Sequence, residues 1–239
     1  MVIKMRGKLI VIEGTDCSGK ETQTKLLVEK LRKDNIKCER FSFPNYDSPT
    51  GKIVGGPYLG KNYICDCWFP EGAINVDPKV TSLYYAADRL YNISKINELL
   101  DSSVNVILDR YVYSNLAHQG SKIKEKQNRL KMYDWLNELE FNLLELPEAD
   151  IKIFLYMPYE VSEMLKKGRV EVPDQHEASK EHLIQAENAY KEIAEIYNFE
   201  TIICSDNNEP RKIDDINKEL YAFVSNKLKL INKKELSKK

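Results

Sequence analysis

Residues 14–20 read GTDCSGK, two glycines with four residues between them and then a lysine. In that spacing the backbone N–H groups of Gly14, Thr15, Asp16, Cys17, Ser18 and Gly19 can converge on a polyphosphate, while Lys20 reaches its outer phosphates. A helix starting at Lys20 would add the positive end of its dipole. The same residues could be no more than a tight turn; the order of apolar run, loop and helix pattern around them favours phosphate binding. Glu21 stands where a hydroxyl normally helps to ligate magnesium. A carboxylate there could approach the metal, act on it through water or rotate to solvent, and the Thr22 hydroxyl could touch an inner phosphate.

Further candidates stand where other apolar runs end. VNVILD is followed by RY, so Asp109 would sit at a strand tip, able to hold magnesium through water. Arg110 beside it could fork onto a phosphate; a structural ion pair is the alternative. In YYAADR, Tyr85 and Arg89 are one helical turn apart and share a face. A ring could stack there on a base while a guanidinium donates to its carbonyl, or the two could simply pack at the surface. Lys166, Lys167 and Arg169, with Asp174 behind them, lie in a polar stretch marked by Gly and Pro. Cations closing from there over a transferring phosphoryl group would offset charge on its equatorial oxygens and exclude water. Arg169 stands foremost because it can engage two oxygens; a solvated lysine cluster is the alternative. His118, His176 and His182 lack metal-site spacing. His118 follows a strand end and could line an acceptor site, whereas His176 and His182 read as surface residues. Cys65 and Cys67 form a lone CDC, a poor zinc site.

The elements that must position these groups are short apolar runs at 8–13, 37–43, 104–109, 151–156 and 199–204. They alternate with helical patterns that start at Lys20 and then cover 79–100, 124–144, 179–197 and 213–228. This alternation predicts an α/β fold in three layers, a five-stranded parallel sheet with helices on both faces. Ligands would gather beyond the carboxyl ends of the strands. One domain is expected over residues 1–230, with a short lid at about 166–178 and a frayed lysine-rich tail at 231–239. On the helix at 79–100, Leu83, Ala87, Leu90 and Tyr91 line one side, and Val80, Tyr84 and Ile93 add apolar surface beyond it. That helix should meet both a sheet and something else, a second subunit being one candidate.

The 239 residues suffice for a full core. A net charge of -1 argues against broad electrostatic capture of a nucleic acid polymer or an anionic membrane. There is no signal-peptide pattern and no apolar run of membrane-spanning length. Five cysteines, odd in number and irregularly spaced, suit a reducing compartment. A cytoplasmic protein is expected.

These motifs, in this order and spacing, resemble the thymidylate kinase family of P-loop nucleoside monophosphate kinases. IEGTDCSGKETQ resembles its P-loop, FPNYDSPTG its loop after the second strand, YYAADR its base-reading pair and DRYVYSNLAHQG its acceptor signature; the stretch at 166–178 resembles its lid. The resemblance runs from Lys8 to Tyr197. It implies ATP bound at Gly14–Thr22, and dTMP bound by Asp16, Phe43, Tyr85, Arg89, Arg110, Ser114, His118 and Gln119. It implies catalysis by Lys20, Asp109, Arg110 and Arg169, and Mg2+ held through water by Asp109, with Glu21 as a further metal contact. The implied reaction passes the γ-phosphoryl of ATP to dTMP, giving dTDP and ADP for dTTP synthesis, in a homodimer. A kinase for another nucleoside monophosphate or a deoxynucleoside, or a catalytically weak nucleotide-binding regulator, are the alternatives. The sequence departs from the family pattern at Cys17 and Tyr46, where arginines occur, at His118, where an aromatic ring is usual, and at Glu21.

Overall fold

The computed structural model of the chain describes residues 5–166 and 179–237. Five strands, β1 (Leu9–Gly14), β2 (Cys38–Ser42), β3 (Asn105–Asp109), β4 (Ile151–Tyr156) and β5 (Glu200–Ile203), form one sheet in the order β2-β3-β1-β4-β5. Every pairing in it is parallel. The central strand β1 is buried along its whole length, which is why its sequence shows no polar alternation. Its side chains still alternate between faces. Leu9 and Val11 join Val106, Leu108 and Phe154 on one side. Ile10 and Ile12 join Ile107, Ile153 and Leu155 on the other.

The first face is covered by α3 (Pro78–Asp101), α4 (Val112–Gly120), α5 (Lys126–Asn137) and α7 (Lys180–Ile196), the second by α1 (Lys20–Lys33) and α8 (Ile213–Ser237). A third cluster of Val54, Tyr58, Leu59, Ala73 and Val76 sits under the irregular connection before α3. This connection contains α2 (Pro49–Ile53), a π-helical turn Val54–Tyr58 and a single 3-10 turn Ala73–Asn75. Ser48 caps α2 by accepting the Gly51 N–H, and Pro49 opens it, where a missing donor costs nothing. The short helix α6 (Tyr159–Lys166) follows β4.

Three expectations need correction, and one element was not expected. The first concerns the face of α3. Leu83, Leu90 and Tyr91 are 50%, 44% and 60% exposed, and Val80 is exposed beside them. The buried side instead carries Ser82, Ala86, Arg89, Ile93, Ile96 and Leu100. Hydrophobicity alone pointed to the wrong stripe because Arg89 and Asp88 are buried by partners distant in sequence. Second, the part of the tail within the described residues is helical: α8 continues to Ser237, Ile231 packs on the second core face and Lys8 pairs with Glu235. Third, the helix expected at 124–144 changes winding, α-helical to Asn137 and π-helical over Glu138–Leu143. The unexpected element is a small antiparallel ribbon, β6 (Ser205–Asp206) with β7 (Glu209–Pro210), which turns through Asn207 and Asn208, both at positive φ. Two successive asparagines suit a tight hairpin turn of this kind.

Candidate active site

The carboxyl ends of β1, β2 and β3 meet at one cavity of about 330 Å³. Asp109, at the end of β3, lies opposite Ser42 of β2 and Ile12 of β1, so the neighbouring strand ends share one rim. The loop leaving β1 is held from several directions. Gly14 packs so closely that a Cβ there would lie 2.5 Å from Ser18 Oγ and 2.7 Å from the Leu155 carbonyl. Thr15 Oγ1 donates to the Met157 carbonyl at 2.7 Å, tying the loop to the end of β4. Cys17 and Gly19 turn the loop in left-handed conformations, φ 61° and 79°, which glycine adopts without strain and cysteine does not.

Lys20 is buried at the first turn of α1. Its ammonium donates to the Gly14 and Thr15 carbonyls at 3.0 and 2.7 Å, curled over the loop it serves. Burial, then Arg110, push it down to about 8. Glu21 is largely exposed and pairs with Lys25 one turn on, at 2.6 Å. Thr22 is exposed and lines the cavity.

Directly after β3, Arg110 holds φ 68°, an uncommon conformation for a residue other than glycine. Its guanidinium donates to Asp16 Oδ1 at 2.6 Å and to the Tyr190 hydroxyl at 3.0 Å. Burial would raise the Asp16 carboxyl, but Arg110, then His118 and Lys20, outweigh it and hold it well below the carboxylate range. Asp109 accepts from Arg40 at 2.6 Å. The helix α4 that follows has no cap of its own. Glu13, the last carboxylate of β1, supplies it from across the sheet, accepting the backbone N–H groups of Tyr111 at 2.8 Å and Ser114 at 3.1 Å. The Ser114 hydroxyl donates to the other oxygen of Glu13 at 2.5 Å. Burial pushes the Glu13 carboxyl up despite these donors.

Tyr85, Arg89, Phe43, Asn115, His118 and Gln119 close the far side of the cavity. Arg89 is buried and clamped by Glu140, its Nε donating at 2.6 Å and its Nη2 to the second oxygen. Asn115 donates to the same carboxylate at 3.1 Å. Gln119 is fully buried, and neither its amide nitrogen nor its oxygen has a protein partner among the described residues. His118 is pushed down to about 3, chiefly by burial. It stacks on His182, with ring centres 5.6 Å apart. His182 is therefore not a surface residue, as expected from sequence, but a buried one that joins α7 to the cavity wall.

The cavity thus brings together every site residue read from the sequence except some loop and lid positions. Gly14, Thr15 and Ser18 support the loop from behind, and Lys166 ends α6. Lys167, Arg169, Asp174 and His176 lie outside the described residues. Sequence reasoning missed Glu13, Arg40, Lys61, Glu140, His182 and Tyr190. Arg40 was within reach, since arginine is scarce and this one stands near a strand end. Glu13 closes an otherwise apolar run, which is also a signal. Glu140 and Tyr190 carry none, because they arrive from helices far along the chain.

A strand, a glycine loop, a lysine and a helix N-terminus at the carboxyl rim of a parallel sheet define the chain as a P-loop protein, built to bind phosphates. A family model described as thymidylate kinase matches residues 12–217. The chain belongs to the thymidylate kinase family. It is 34% identical over 150 residues to a thymidylate kinase of Schizosaccharomyces pombe, a match covering 63% of this chain and 61% of that one. With a probable thymidylate kinase of Methanocaldococcus jannaschii it shares 31% identity over 217 residues, 91% of this chain and 95% of the relative. The match thus spans less than two thirds of the Schizosaccharomyces pombe protein's own length, and nearly all of the Methanocaldococcus jannaschii one. Among solved structures, a thymidylate kinase from Candida albicans superposes with a TM-score of 0.71 at 24% identity, covering 92% of each chain, which establishes the shared fold.

Proposed function

We propose that the chain transfers the γ-phosphoryl group of ATP to dTMP, giving dTDP and ADP. An oxygen of the acceptor's 5′-phosphate bonds to the γ-phosphorus as the bond to the β–γ bridging oxygen breaks, and ADP leaves with that electron pair. No covalent enzyme intermediate is required, so the protein's contribution is positioning and charge. The observation that carries this reading is that Lys20 and Arg110, cations from separate elements, line one cavity with the glycine loop between them. Lys20 and the loop would hold the donor, and Arg110, held by Asp16, would grip the acceptor phosphate. Tyr85 would stack on the base while Arg89, Asn115 and Gln119 read its edge, with Phe43, Ser114 and His118 completing the acceptor side. Arg169 closing from the lid belongs to this proposal as well.

Mg2+ fits the donor set, which offers the hard oxygens of Asp109, Asp16 and Thr22 along the cavity. No group of three or more metal-ligating side chains occurs among the described residues, so the ion would arrive with the nucleotide and keep most of its water. When bound, it neutralises charge on the outer phosphates. The exposed stripe of Val80, Leu83, Leu90 and Tyr91 on α3 supports a homodimer through that face. A cytoplasmic setting is part of the proposal and rests on cysteine usage; no helix among the described residues is long and apolar enough to cross a membrane.

The test is ADP release with dTMP, thymidine, dUMP, dCMP and AMP as acceptors. Turnover with dTMP above the others is expected, with a loss of more than about tenfold in Arg110→Ala. Nucleotide binding without turnover on any acceptor, or turnover on thymidine equal to that on dTMP, would overturn it.

A further inference from the structure

Lys122 stands two residues past the end of α4, outside the lining of the cavity, and reaches back to the irregular connection before α3. We infer that Lys122 is a positioning residue for the acceptor's base: it holds Tyr58, and Tyr58 backs Tyr85. The role rests on the transfer proposed above, in which Tyr85 stacks on that base.

The half-buried side chain crosses from one element to another. Its ammonium donates to the Val76 carbonyl at 3.0 Å, the Ala73 carbonyl at 3.2 Å and the Tyr58 hydroxyl oxygen at 3.4 Å. It also lies 5.9 Å from the centre of the Tyr58 ring. Ala73 opens the single 3-10 turn and Val76 follows it. So short a turn leaves carbonyls that need donors from elsewhere in the chain. Tyr58 is fully buried, and its hydroxyl donates to the same Ala73 carbonyl at 2.9 Å. Lysine, phenol and carbonyl form one set that joins the end of α4 to both halves of the connection.

What this set fixes is a ring. Tyr58 meets Tyr85 edge to face, with centres 5.9 Å apart and planes at 84°. It stacks on Tyr84 at 6.4 Å. Such contacts orient both rings, because a positive edge prefers a negative face. Tyr85 lines the cavity, and so does Leu59, next to Tyr58 in the chain. Lys122 therefore acts on the cavity through Tyr58. The titratable groups facing its ammonium are the Tyr58 hydroxyl and Asp77, the N-cap of α3. Asp77 attracts the charge, but burial outweighs it and pushes the lysine down to about 8. Its hold on Tyr58 and the two carbonyls is at full strength below that pH and weakens as the proton is lost above it.

The experiment is calorimetric titration of wild type, Lys122→Met and Lys122→Arg with dTMP, thymidine and ATP, at about pH 7 and about pH 9 and well below each melting temperature. At the lower pH, Lys122→Met should weaken dTMP and thymidine alike by about fivefold, the worth of one well-set ring, and leave ATP within about twofold. Lys122→Arg keeps its charge throughout and should match wild type at the lower pH. On going to the higher pH, wild type should lose about threefold more affinity for dTMP and thymidine than Lys122→Arg does, a difference that cancels the titration of Lys20. Weakening of dTMP without thymidine would mark a phosphate contact, and equal weakening of ATP a general loss of packing; either overturns the inference. So does a pH profile that Lys122→Arg leaves unchanged. Should Lys122→Met not fold, wild type against Lys122→Arg decides alone. Should wild type prefer another nucleoside monophosphate, the dTMP reading fails by itself, and the same titrations with that monophosphate and its nucleoside still decide the role of Lys122. Should it bind no monophosphate, both fall.

Discussion

Replacing Glu140 by Gln changes one oxygen for an NH2 group and little in volume, yet it strikes the buried pair that fixes Arg89 in the cavity wall. Glu140 and Arg89 are both buried, and the carboxylate receives two guanidinium N–H bonds and a third from Asn115. An amide offers one acceptor where the carboxylate has two. One Arg89 N–H would then face another donor, and the charge of a guanidinium only 2% exposed would be left without compensation. Removing one partner of a buried ion pair costs about 3–5 kcal/mol, and the surviving hydrogen bond places this substitution near the lower bound, about 3 kcal/mol. With an m-value of about 3 kcal/mol/M for urea, the unfolding midpoint should fall by about 1 M with m unchanged. Turnover assays on the folded variant should show a higher KM for dTMP, because Arg89 lines the cavity and its direction is set by Glu140. The double substitution Arg89→Met with Glu140→Leu removes both charges and should regain most of the stability while dTMP binding stays weak. A shift below about 0.2 M in Glu140→Gln, or a double variant no more stable than the single one, would refute the reasoning.

Three further outcomes are expected. Lys20 is held down to about 8 in the unliganded fold, so near about pH 8.5 it is mostly neutral and a triphosphate must recharge it. ATP binding there should take up a proton, seen as a dependence of the calorimetric enthalpy on buffer ionisation, and should weaken as pH rises; Lys20→Met should abolish the uptake. Glu13→Ala would strip the Tyr111 and Ser114 N–H groups of their acceptor and should lower stability by about 2 kcal/mol, whereas Glu13→Gln, which keeps an acceptor, should cost less than about half of that, measured by urea unfolding. Leu83→Lys combined with Leu90→Lys should convert a dimer to a monomer in sedimentation analysis with little change in melting temperature, since both side chains already face outward; a wild type that sediments as a monomer would remove the basis for that face as an interface.

What the sequence determined by itself is whatever depends on neighbours along the chain. The glycine loop, Lys20 and the strand before them are contiguous, and so are Asp109 and Arg110, so both of these groups at the cavity were legible from composition and spacing. The inner strands β1, β3 and β4 were legible too, because a strand covered on both faces is apolar nearly throughout; the edge strands β2 and β5, with their exposed positions, were read from their place in the alternation with helices. Tertiary structure decided everything that depends on a distant partner. Arg89 belongs to the buried side of α3 because Glu140, from beyond β3, neutralises it there, and this turned the apolar stripe of that helix outward. The cap of α4 is Glu13, about a hundred residues earlier. His182 is buried because α7 packs against α4 and brings its ring onto His118. Desolvation of a polar group is tolerable only where a partner meets it, and hydropathy along a chain does not record where that partner will come from.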